Sequence, residues 1–294
     1  MKISKITKVV IPVAGLGTRM LPATKEVPKE LLPILDKPII QYSVEEAISS
    51  GITDIVFVTR PGKNTVKNHF SRNRELENFL ISKNKKDLLK KFPDKIFSKI
   101  NFFSVEQKLP LGLGNAILSA QKIIQDDPFA VFLPDELLVS KTSKLDFQRM
   151  IKNFSSFGKP QILVEEVQKK LIPNYGIVKL CKKKISIKIP LDIIDIVEKP
   201  SIQKAPSNNR VVGRYIMPND LFKYLKKTEP GKDNEIQLTD AIKSYLQTNK
   251  NSFQATLSNS HIYDCGSIEG LVGANIALGL KDKKIKKFIK EIIS

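Results

Sequence analysis

The feature that most constrains the fold is an alternation of short apolar runs with helical patterns. Each run is short enough for one buried strand, and a helical pattern follows it. Strands that alternate with helices form parallel units, so the pattern predicts an α/β fold with a mixed, mostly parallel central sheet flanked by helices. The runs are KVVIPVA at 8–14, DIVFVT at 54–59, INFFSV at 100–105, FAVFL at 129–133 and QILVEEV at 161–167.

Three segments between these runs have the pattern of helices. PIIQYSVEEAISSG begins with Pro38 and closes with Gly51, the usual asymmetry of helix ends. GLGNAILSAQKII at 112–124 predicts a second helix, and residues 73–92 predict one long amphipathic helix at the surface. Later helices are expected from Pro218 and over 235–247, and later strands at 211–217, 252–257 and 261–266.

Residues 175–200 predict a small antiparallel excursion. YGIVKL, KISIKI and IIDIVEKP alternate apolar and polar residues and are separated by lysine and proline turns. The chain contains no internal repeat and no low-complexity linker, so residues 1–294 are expected to form one domain. We expect a first half over about 1–140, a second half over about 141–266, and C-terminal helices over about 267–294, broken near Lys281.

The charge of the chain points to an anionic partner. Lysine and arginine number 49 against 30 acidic residues, a formal net charge of +19, which attracts nucleic acid, an anionic membrane or a phosphorylated small molecule. The excess lies in lysine runs without interleaved aromatic residues, and arginine is scarce, so nucleic acid is disfavoured. No stretch reaches the roughly 20 apolar residues of a membrane span. We therefore expect a small-molecule ligand, no nucleic acid and no membrane.

The cysteines indicate a reducing compartment. Cys181 and Cys265 lie far apart and outside any C-x-x-C pattern, so neither a disulfide framework nor a zinc site is indicated. The lysines and apolar residues at the start faintly imitate a signal peptide, but Pro12 interrupts that segment. We expect a cytoplasmic protein.

The loop GLGTRMLPATKEVPKELLPI follows the first predicted strand and carries the strongest functional signal. A glycine turn there exposes backbone N–H groups that suit phosphate oxygens. The dinucleotide pattern G-x-G-x-x-G is incomplete because Met20 occupies its last position, and no G-x-x-x-x-G-K-[ST] occurs. Arg19 and Lys29 add two cations to the loop, so a phosphate site of another type is indicated.

This loop resembles the signature of sugar-1-phosphate nucleotidyltransferases, G-x-G-T-R-x-x-P-x-T-x-x-x-P-K. With its continuation ELLPILDKP it is similar to the bacterial UTP:glucose-1-phosphate uridylyltransferases, also called UDP-glucose pyrophosphorylases. The resemblance implies a Rossmann-like nucleotidyltransferase fold with a nucleotide-binding half over about 1–140 and a sugar-binding half over about 141–266. It also implies a Mg²⁺ cofactor and a homodimer or homotetramer. Further segments in the family's order are GITDIVFVT, GLGNAI, LPDELL, YGIV, VEKP, APSN, VVGRY, EIQLTDAI and YDCGS.

The implied reaction joins glucose 1-phosphate to the α-phosphorus of UTP and gives UDP-glucose and pyrophosphate. The sugar phosphate is mostly ionised at neutral pH, so the reaction needs no general base, and His69 and His261 are expected to be structural or surface residues. Catalysis would rest on positioning and on neutralised charge. The resemblance assigns Arg19 and Lys29 to the triphosphate and Lys199 to the sugar phosphate.

The resemblance also assigns a metal pair and residues for the two substrates. Asp135, at the end of an apolar strand, and Asp264 would hold the metal, although each could equally be a turn cap. The expected nucleotide residues are Ala14, Gly15, Gly17, Thr18, Glu30, Gln107 and Gly112, and the expected sugar residues are Gly176, Glu198 and Gly213.

One segment departs from the family's pattern. QKLPLGLGNA has Lys108, Leu111 and Asn115 where a small residue, a basic residue and histidine are usual, which leaves base selectivity open. A pyrophosphorylase that prefers dTTP is one alternative, and a regulatory paralogue without catalysis is another. The intact Gly17, Thr18 and Arg19 favour an active enzyme, because such paralogues tend to lose this triplet.

Overall fold

A computed structural model describes residues 5–92, 94–125, 127–231 and 234–293 of the chain. The first four residues of the signal-like start and the last residue of the predicted C-terminal segment therefore lie outside the described residues. The strands are β1 Lys8–Pro12, β2 Pro33–Ile34, β3 Lys37–Pro38, β4 Asp54–Thr59, β5 Asn101–Glu106, β6 Phe129–Phe132, β7 Glu136–Ser140, β8 Gln161–Glu166, β9 Ile177–Leu180, β10 Leu191–Val197, β11 Asn209–Met217, β12 Gln254–Leu257 and β13 Ser260–Asp264.

The helices flank these strands and are mostly short. They are α1 Ile39–Ser49, α2 Thr65–His69, α3 Arg74–Ser82, α4 Asp94–Phe97, α5 Gly112–Ser119, α6 Gln121–Ile124, α7 Asp146–Phe157, α8 Leu221–Leu225, α9 Leu238–Thr248, α10 Ile268–Gly279 and α11 Lys283–Ile293. Single 3-10 turns cover Thr18–Met20, Lys29–Leu31, Lys86–Lys91 and Lys169–Asn174.

A nine-stranded mixed sheet forms the centre, in the order β5-β4-β1-β6-β11-β8-β12-β10-β9. Strands β5, β4, β1 and β6 are parallel, and β12 is parallel to β8. Strand β11 runs antiparallel between β6 and β8. The predicted α/β fold with a mixed sheet is confirmed, but within the described residues the parallel pairs are concentrated in the first half of the sheet.

The sheet is buried on both faces, which explains why its strands are continuous apolar runs. Successive residues of β1 point to opposite faces, so Val10 packs in one core cluster while Val9 and Ile11 pack in the other. The carboxyl ends of β1, β4, β5 and β6 meet at one edge because these strands are parallel. That edge is where an α/β sheet places its ligand groups.

The predicted long helix over 73–92 was wrong. Helix α3 ends at Ser82, and Asn84 adopts a left-handed backbone with φ of +56°. The N–H of Lys85 donates to the carbonyl of Leu80, which closes the helix end. A separate 3-10 turn then covers Lys86–Lys91. Asparagine tolerates this conformation better than most residues, so the break was encoded locally.

The predicted antiparallel excursion is an extension of the main sheet and has two strands instead of three. Strands β9 and β10 pair with each other and join the sheet through β12 and β11. The segment KISIKI at 184–189 forms no strand, and its Ile187 and Ile189 are exposed. Its alternating pattern finds no partner strand, since β9 and β10 already pair on either side of it.

The two C-terminal helices are present, with the break at Leu280–Asp282 as expected. Helix α10 packs against β13 and a small apolar cluster that includes Cys265 and Ala274. Across the part of the chain that the structure describes, no helix has the length and apolar character needed to cross a membrane. The sheet runs without interruption through both predicted halves, and the boundary near residue 140 stays a prediction.

Candidate active site

A large cleft of about 640 Å³ opens at the carboxyl edge of β1, β4, β5 and β6, within the range of sites for small molecules. The backbone N–H of Val13 donates to Val58, and the N–H of Gln107 donates to Thr59. These bonds continue the sheet register, so the cleft is built on the sheet itself. Its lining includes Ala14, Gly15, Gly17, Thr18, Lys29, Arg60, Gln107, Lys108, Gly112, Leu113, Leu133, Asp135 and Glu235.

The glycine loop forms one wall of this cleft. Gly17 has a φ of +67°, and a methyl group there would lie 3.2–3.3 Å from Thr24 and Lys29, so only glycine fits without strain. The hydroxyl of Thr24 donates to the carbonyl of Gly17 over 2.7 Å and fixes the turn. The structure thus brings Ala14, Gly15, Gly17 and Thr18 to the cleft, as the sequence predicts for nucleotide-binding residues.

Two ion pairs lie close together, and one of them, Lys29 with Asp135, lines the cleft. Lys29 Nζ lies 2.5 Å from Asp135 Oδ2, and Arg19 NH1 lies 3.2 Å from Asp264 Oδ2. Burial favours the neutral forms of Lys29 and Asp135, but their mutual attraction outweighs it. The pKa of Lys29 is therefore raised, and that of Asp135 is lowered. Both groups stay charged at neutral pH.

Asp135 and Asp264 meet where the sequence predicts a metal pair. A methyl group built on Gly266 would lie 3.0 Å from Asp135 Oδ2, 3.0 Å from Asp264 Oδ1 and 2.5 Å from Arg19 NH2. Strands β7 and β13 hold the two aspartates together, and Cys265 N–H donates to the Asp135 carbonyl over 2.8 Å. Two carboxylates around a space kept open by glycine suit Mg²⁺, which takes few protein ligands and completes its shell with water and phosphate oxygens. No group of three or more His, Cys, Asp or Glu side chains is arranged for a metal within the described ranges.

Gln107 directly follows β5 and lines the cleft, and its side chain has a fixed orientation. Its side-chain N–H₂ donates to the carbonyl of Gly112 and to Asn115 Oδ1, both at 3.0 Å. A backbone carbonyl only accepts, so the amide cannot be flipped, and Oε1 is the group that Gln107 can offer to a ligand. Asn115 is one of the positions where the sequence departs from the family's pattern, and its side chain orients Gln107.

Glu30 lies behind Lys29 instead of lining either cleft. Its side chain is buried, and neither carboxylate oxygen has a hydrogen-bond partner among the described residues. Burial raises the pKa of Glu30 to about 7, although Lys29 and Lys63 counteract it. The sequence predicts that Glu30 contacts the nucleotide. In the structure, buried residues surround its carboxyl group, and it lines neither cleft.

A second, smaller cleft of about 160 Å³ adjoins the first, because Leu113 and Leu133 line both. Its lining includes Tyr175, Gly176, Glu198, Tyr215, Thr239 and Glu136. Glu198 Oε2 accepts a hydrogen bond of 3.0 Å from the Thr239 hydroxyl. A methyl group on Gly176 would lie 3.0 Å from Thr239 and 3.2 Å from Glu198, so glycine allows these two side chains to pack closely against the backbone.

Lys199 reaches the same side of the chain as Glu198. Strand β10 ends at Val197, and Lys199 has a φ of +41°, a backbone conformation that is uncommon outside glycine. The chain bends there, so Lys199 Nζ lies 3.9 Å from Glu198 Oε1 even though neighbouring residues on a straight strand would diverge.

The predicted sugar contact at Gly213 is not supported by its surroundings. A methyl group there would lie 2.5 Å from Leu133 and 2.7 Å from Glu136, so protein atoms fill the space beside the glycine. Its N–H donates to Glu136 Oε2, and its carbonyl accepts from the N–H of Leu133 and from Arg214. Gly213 allows close packing of β11 against the segment that carries Asp135.

Two buried arginines of β11 support this segment, and the sequence argument missed both. Arg210 pairs with Glu136 at 2.6 Å and with Glu165 at 2.9 Å. Arg214 pairs with Glu46 at 2.7 Å and donates to the carbonyls of Leu133 and Glu136. In the sequence they are two charged residues, four positions apart, on one face of an otherwise apolar strand, and this pattern could have indicated buried ion pairs. Thr239 and Arg60 were also missed, although Thr239 lies in the segment EIQLTDAI and Arg60 directly follows GITDIVFVT.

The histidines take no part in either cleft. His69 Nε2 lies 2.9 Å from Gln41 Oε1, and burial lowers the pKa of its imidazole. His261 lies on β13 and is exposed. Both are therefore structural or surface residues, as expected.

Comparison with known proteins places this arrangement in context. The family model described as nucleotidyl transferase matches residues 8–279. The UTP–glucose-1-phosphate uridylyltransferase of Escherichia coli (strain K12) is 41% identical over 281 residues, 95% of this chain and 92% of that protein. A structure of UTP-bound UGPase from Acinetobacter baumannii superposes with a TM-score of 0.89 at 40% identity and covers 98% of both chains.

A structure of UDP-glucose pyrophosphorylase complexed with UDP-glucose is also similar. Its TM-score is 0.83 at 38% identity, over 94% of this chain and 100% of that chain. The matched region runs from β1 to the end of α10, so it includes both clefts.

Proposed function

Because the chain belongs to the nucleotidyl transferase family, we propose that its large cleft binds UTP and its small cleft binds the sugar of glucose 1-phosphate. The chain is an enzyme that transfers the uridylyl group of UTP to glucose 1-phosphate and releases UDP-glucose and pyrophosphate. Its substrates are small molecules.

The meeting of Lys29, Asp135, Arg19 and Asp264 at the large cleft carries this proposal. Lys29 and Asp135 line that cleft, and Arg19 and Asp264 converge with Asp135 at Gly266, so two cations and two carboxylates from distant parts of the chain lie together where phosphates would bind. Phosphoryl transfer between two anions requires such charge neutralisation more than it requires an acid or a base.

The side chains have distinct roles in the proposed mechanism. Lys29 and Arg19 would exchange their carboxylate partners for phosphate oxygens of UTP, and Lys29 would follow the α-phosphate as charge builds up in the transition state. Lys199 would neutralise the sugar phosphate, so that its ionised oxygen can approach the α-phosphorus in line with the departing pyrophosphate.

Asp135 and Asp264 are the residues that would hold a divalent cation. Proteins of this family generally use a divalent metal, and we propose Mg²⁺. When bound, the cation would neutralise phosphate charge at this point.

The nucleotide and the sugar are held by different groups. The backbone of Ala14, Gly15, Gly17 and Thr18 would face the base and the phosphates of UTP. Gln107 would accept a hydrogen bond from the base, and Gly112 would lie close to the ribose. In the small cleft, which Gly176 also lines, Glu198 would accept from glucose hydroxyls, with Thr239 holding its carboxylate.

We further infer a homodimer or homotetramer in the cytoplasm. Helix α10 carries an exposed apolar side chain at every fourth position, and α11 adds Phe288 and Ile292; a second copy would cover this surface. The stripe on α10 and its continuation consists of Ile268, Val272, Ile276 and Leu280. Cys181 and Cys265 are both unpaired thiols, which suits a reducing compartment.

A panel of nucleotides tests the proposed function. The protein is incubated with Mg²⁺, glucose 1-phosphate and UTP, dTTP, ATP or CTP in turn, and pyrophosphate release is followed. We expect a clear preference for UTP. Equal turnover with dTTP would support the alternative thymidylyl activity, and no turnover with any nucleotide would indicate a paralogue without catalysis.

A further inference from the structure

Arg60 occupies the centre of the proposed base site. It follows β4, which lies between β1 and β5, and the register pairs Pro12 with Val58 and Thr59 with Glu106. Two residues past Val58 and one past Thr59, Arg60 is therefore level with Ala14 on one side and Gln107 on the other. All three line the large cleft.

Within the described residues, one buried donor of the Arg60 guanidinium is left unpaired. Its Nε is buried and makes no hydrogen bond to any described residue. Arginine keeps its charge and offers five N–H donors, and a buried donor without an acceptor costs free energy. Arg60 also lines the large cleft, so a ligand bound there can supply acceptors to the guanidinium.

The neighbouring Gln107 narrows the chemistry of that ligand. Its N–H₂ group is committed to Gly112 and Asn115, so Gln107 presents an acceptor to the cleft while Arg60 presents donors. Uracil offers the matching edge, an N3–H donor flanked by two carbonyl oxygens. Cytosine has an unprotonated N3 and an amino group in place of one carbonyl, so it would oppose both residues.

The position of Arg60 argues against a role at the phosphates. The cations that face Asp135 and Asp264 lie near the end of β6, and β6 is separated from β4 by β1. Two strand spacings amount to about 10 Å. Arg60 therefore starts from a strand end two strands away from the one that carries Asp135.

We propose that Arg60 donates to O4 of the uracil ring, where cytosine has an amino group, and that, with the fixed acceptor of Gln107, it selects uracil over cytosine. This specificity role rests on the proposed function, because it takes the large cleft as the UTP site.

Calorimetric binding of UTP, CTP and pyrophosphate, each with Mg²⁺, tests this role. In Arg60→Gln, the loss of charge-assisted hydrogen bonds is expected to lower the affinity for UTP about tenfold to hundredfold. The affinity for CTP should fall less, because the glutamine side chain can accept a hydrogen bond from the amino group of cytosine. The affinity for pyrophosphate should equal that of the wild type. Lys67→Gln is the control, since it removes one charge from α2 outside the cleft and should leave all three affinities unchanged.

Several results would overturn the role of Arg60. An unchanged preference for UTP over CTP in Arg60→Gln excludes base selection, and a parallel loss of pyrophosphate affinity assigns Arg60 to the phosphates. If the glutamine variant does not fold, Arg60→Lys keeps the charge but lacks the planar fork, and it should still weaken UTP and spare pyrophosphate. Wild-type UTP affinity in that variant would contradict the proposal.

Turnover separates this inference from the proposed function. A wild-type protein that makes UDP-glucose, together with an Arg60→Gln variant that keeps its selectivity, rejects only the role of Arg60. A wild-type protein that binds UTP but makes no UDP-glucose rejects the proposed function instead.

Discussion

Lys29 Nζ lies 2.5 Å from Asp135 Oδ2 in the lining of the large cleft, although 106 residues separate them in sequence. The lysine comes from the glycine-rich loop after β1, and the aspartate follows β6, the strand beside β1 in the sheet. The parallel pairing of these strands therefore creates the contact. Each charge stabilises the other against burial, and each is available to exchange its partner for a substrate or a metal.

Asp135→Asn removes the carboxylate charge while keeping the shape of the side chain. We expect kcat to fall about a hundredfold or more, because Lys29 loses its counter-charge and the metal site loses one ligand. Steady-state kinetics with saturating UTP and glucose 1-phosphate measures the effect. The exposed Asp87→Asn serves as the control, and wild-type kcat in Asp135→Asn would remove this residue from the site.

Gly266→Ala tests whether the space between the two aspartates must stay open. The added methyl group would lie 2.5 Å from Arg19 and 3.0 Å from both carboxylates, so these groups must move apart. A displacement of about 1 Å at a reacting centre can lower turnover about a hundredfold. Gly273→Ala on α10 is a matched control, since its methyl group would meet Tyr263 at an ordinary 3.5 Å. Equal activity in the two variants would contradict the metal-site assignment.

Lys199→Ala separates the two substrates. The loss of one cation beside Glu198 should raise the KM for glucose 1-phosphate about tenfold or more and leave the KM for UTP nearly unchanged. Lys204→Ala, an exposed lysine in the following turn, should change neither constant. The assignment fails if Lys199→Ala leaves the use of glucose 1-phosphate intact.

The buried carboxyl group of Glu30 should make the free energy of unfolding depend on pH. Burial raises the pKa of Glu30 to about 7, against 4.5 for an ordinary glutamate. Between these values the folded state holds a proton that the unfolded state has released, so stability falls as pH rises from about 4.5 to 7. The loss amounts to about 3 kcal/mol.

Glu30→Gln removes this dependence. The free energy of unfolding of this variant, minus that of the wild type, should increase from pH 5 to pH 8, as measured by urea titration at each pH. The exposed Glu26→Gln should show no such gain. A stability difference between Glu30→Gln and the wild type that stays constant with pH would contradict the assignment.

Local patterns in the sequence predicted the elements but not all of their partners. The alternation of apolar runs and helices predicted the strands of the sheet, because buried strands and amphipathic helices have distinct periods. The alternation in KISIKI also predicted a strand, and none forms, since a strand requires a neighbour that local sequence does not reveal. The break at Asn84 was missed because the amphipathic pattern continues through it.

The site followed the same division. Short motifs identified Lys29, Asp135 and Glu198, whose residue types match phosphate, metal and hydroxyl chemistry. The registers that bring Arg60 level with Gln107, and Thr239 to Glu198, depend on contacts between distant segments. Such contacts appear only in the folded chain, as does the filling of the space beside Gly213 by Leu133 and Glu136.

Phosphorus NMR of a reaction mixture tests the central claim most directly. The wild-type protein is mixed with UTP, glucose 1-phosphate and Mg²⁺, and the signals of substrates and products are followed together. We predict that the two phosphorus signals of UDP-glucose grow at the same rate as that of pyrophosphate, and that Asp135→Asn shows neither. Pyrophosphate that appears with UMP and without UDP-glucose would contradict the account.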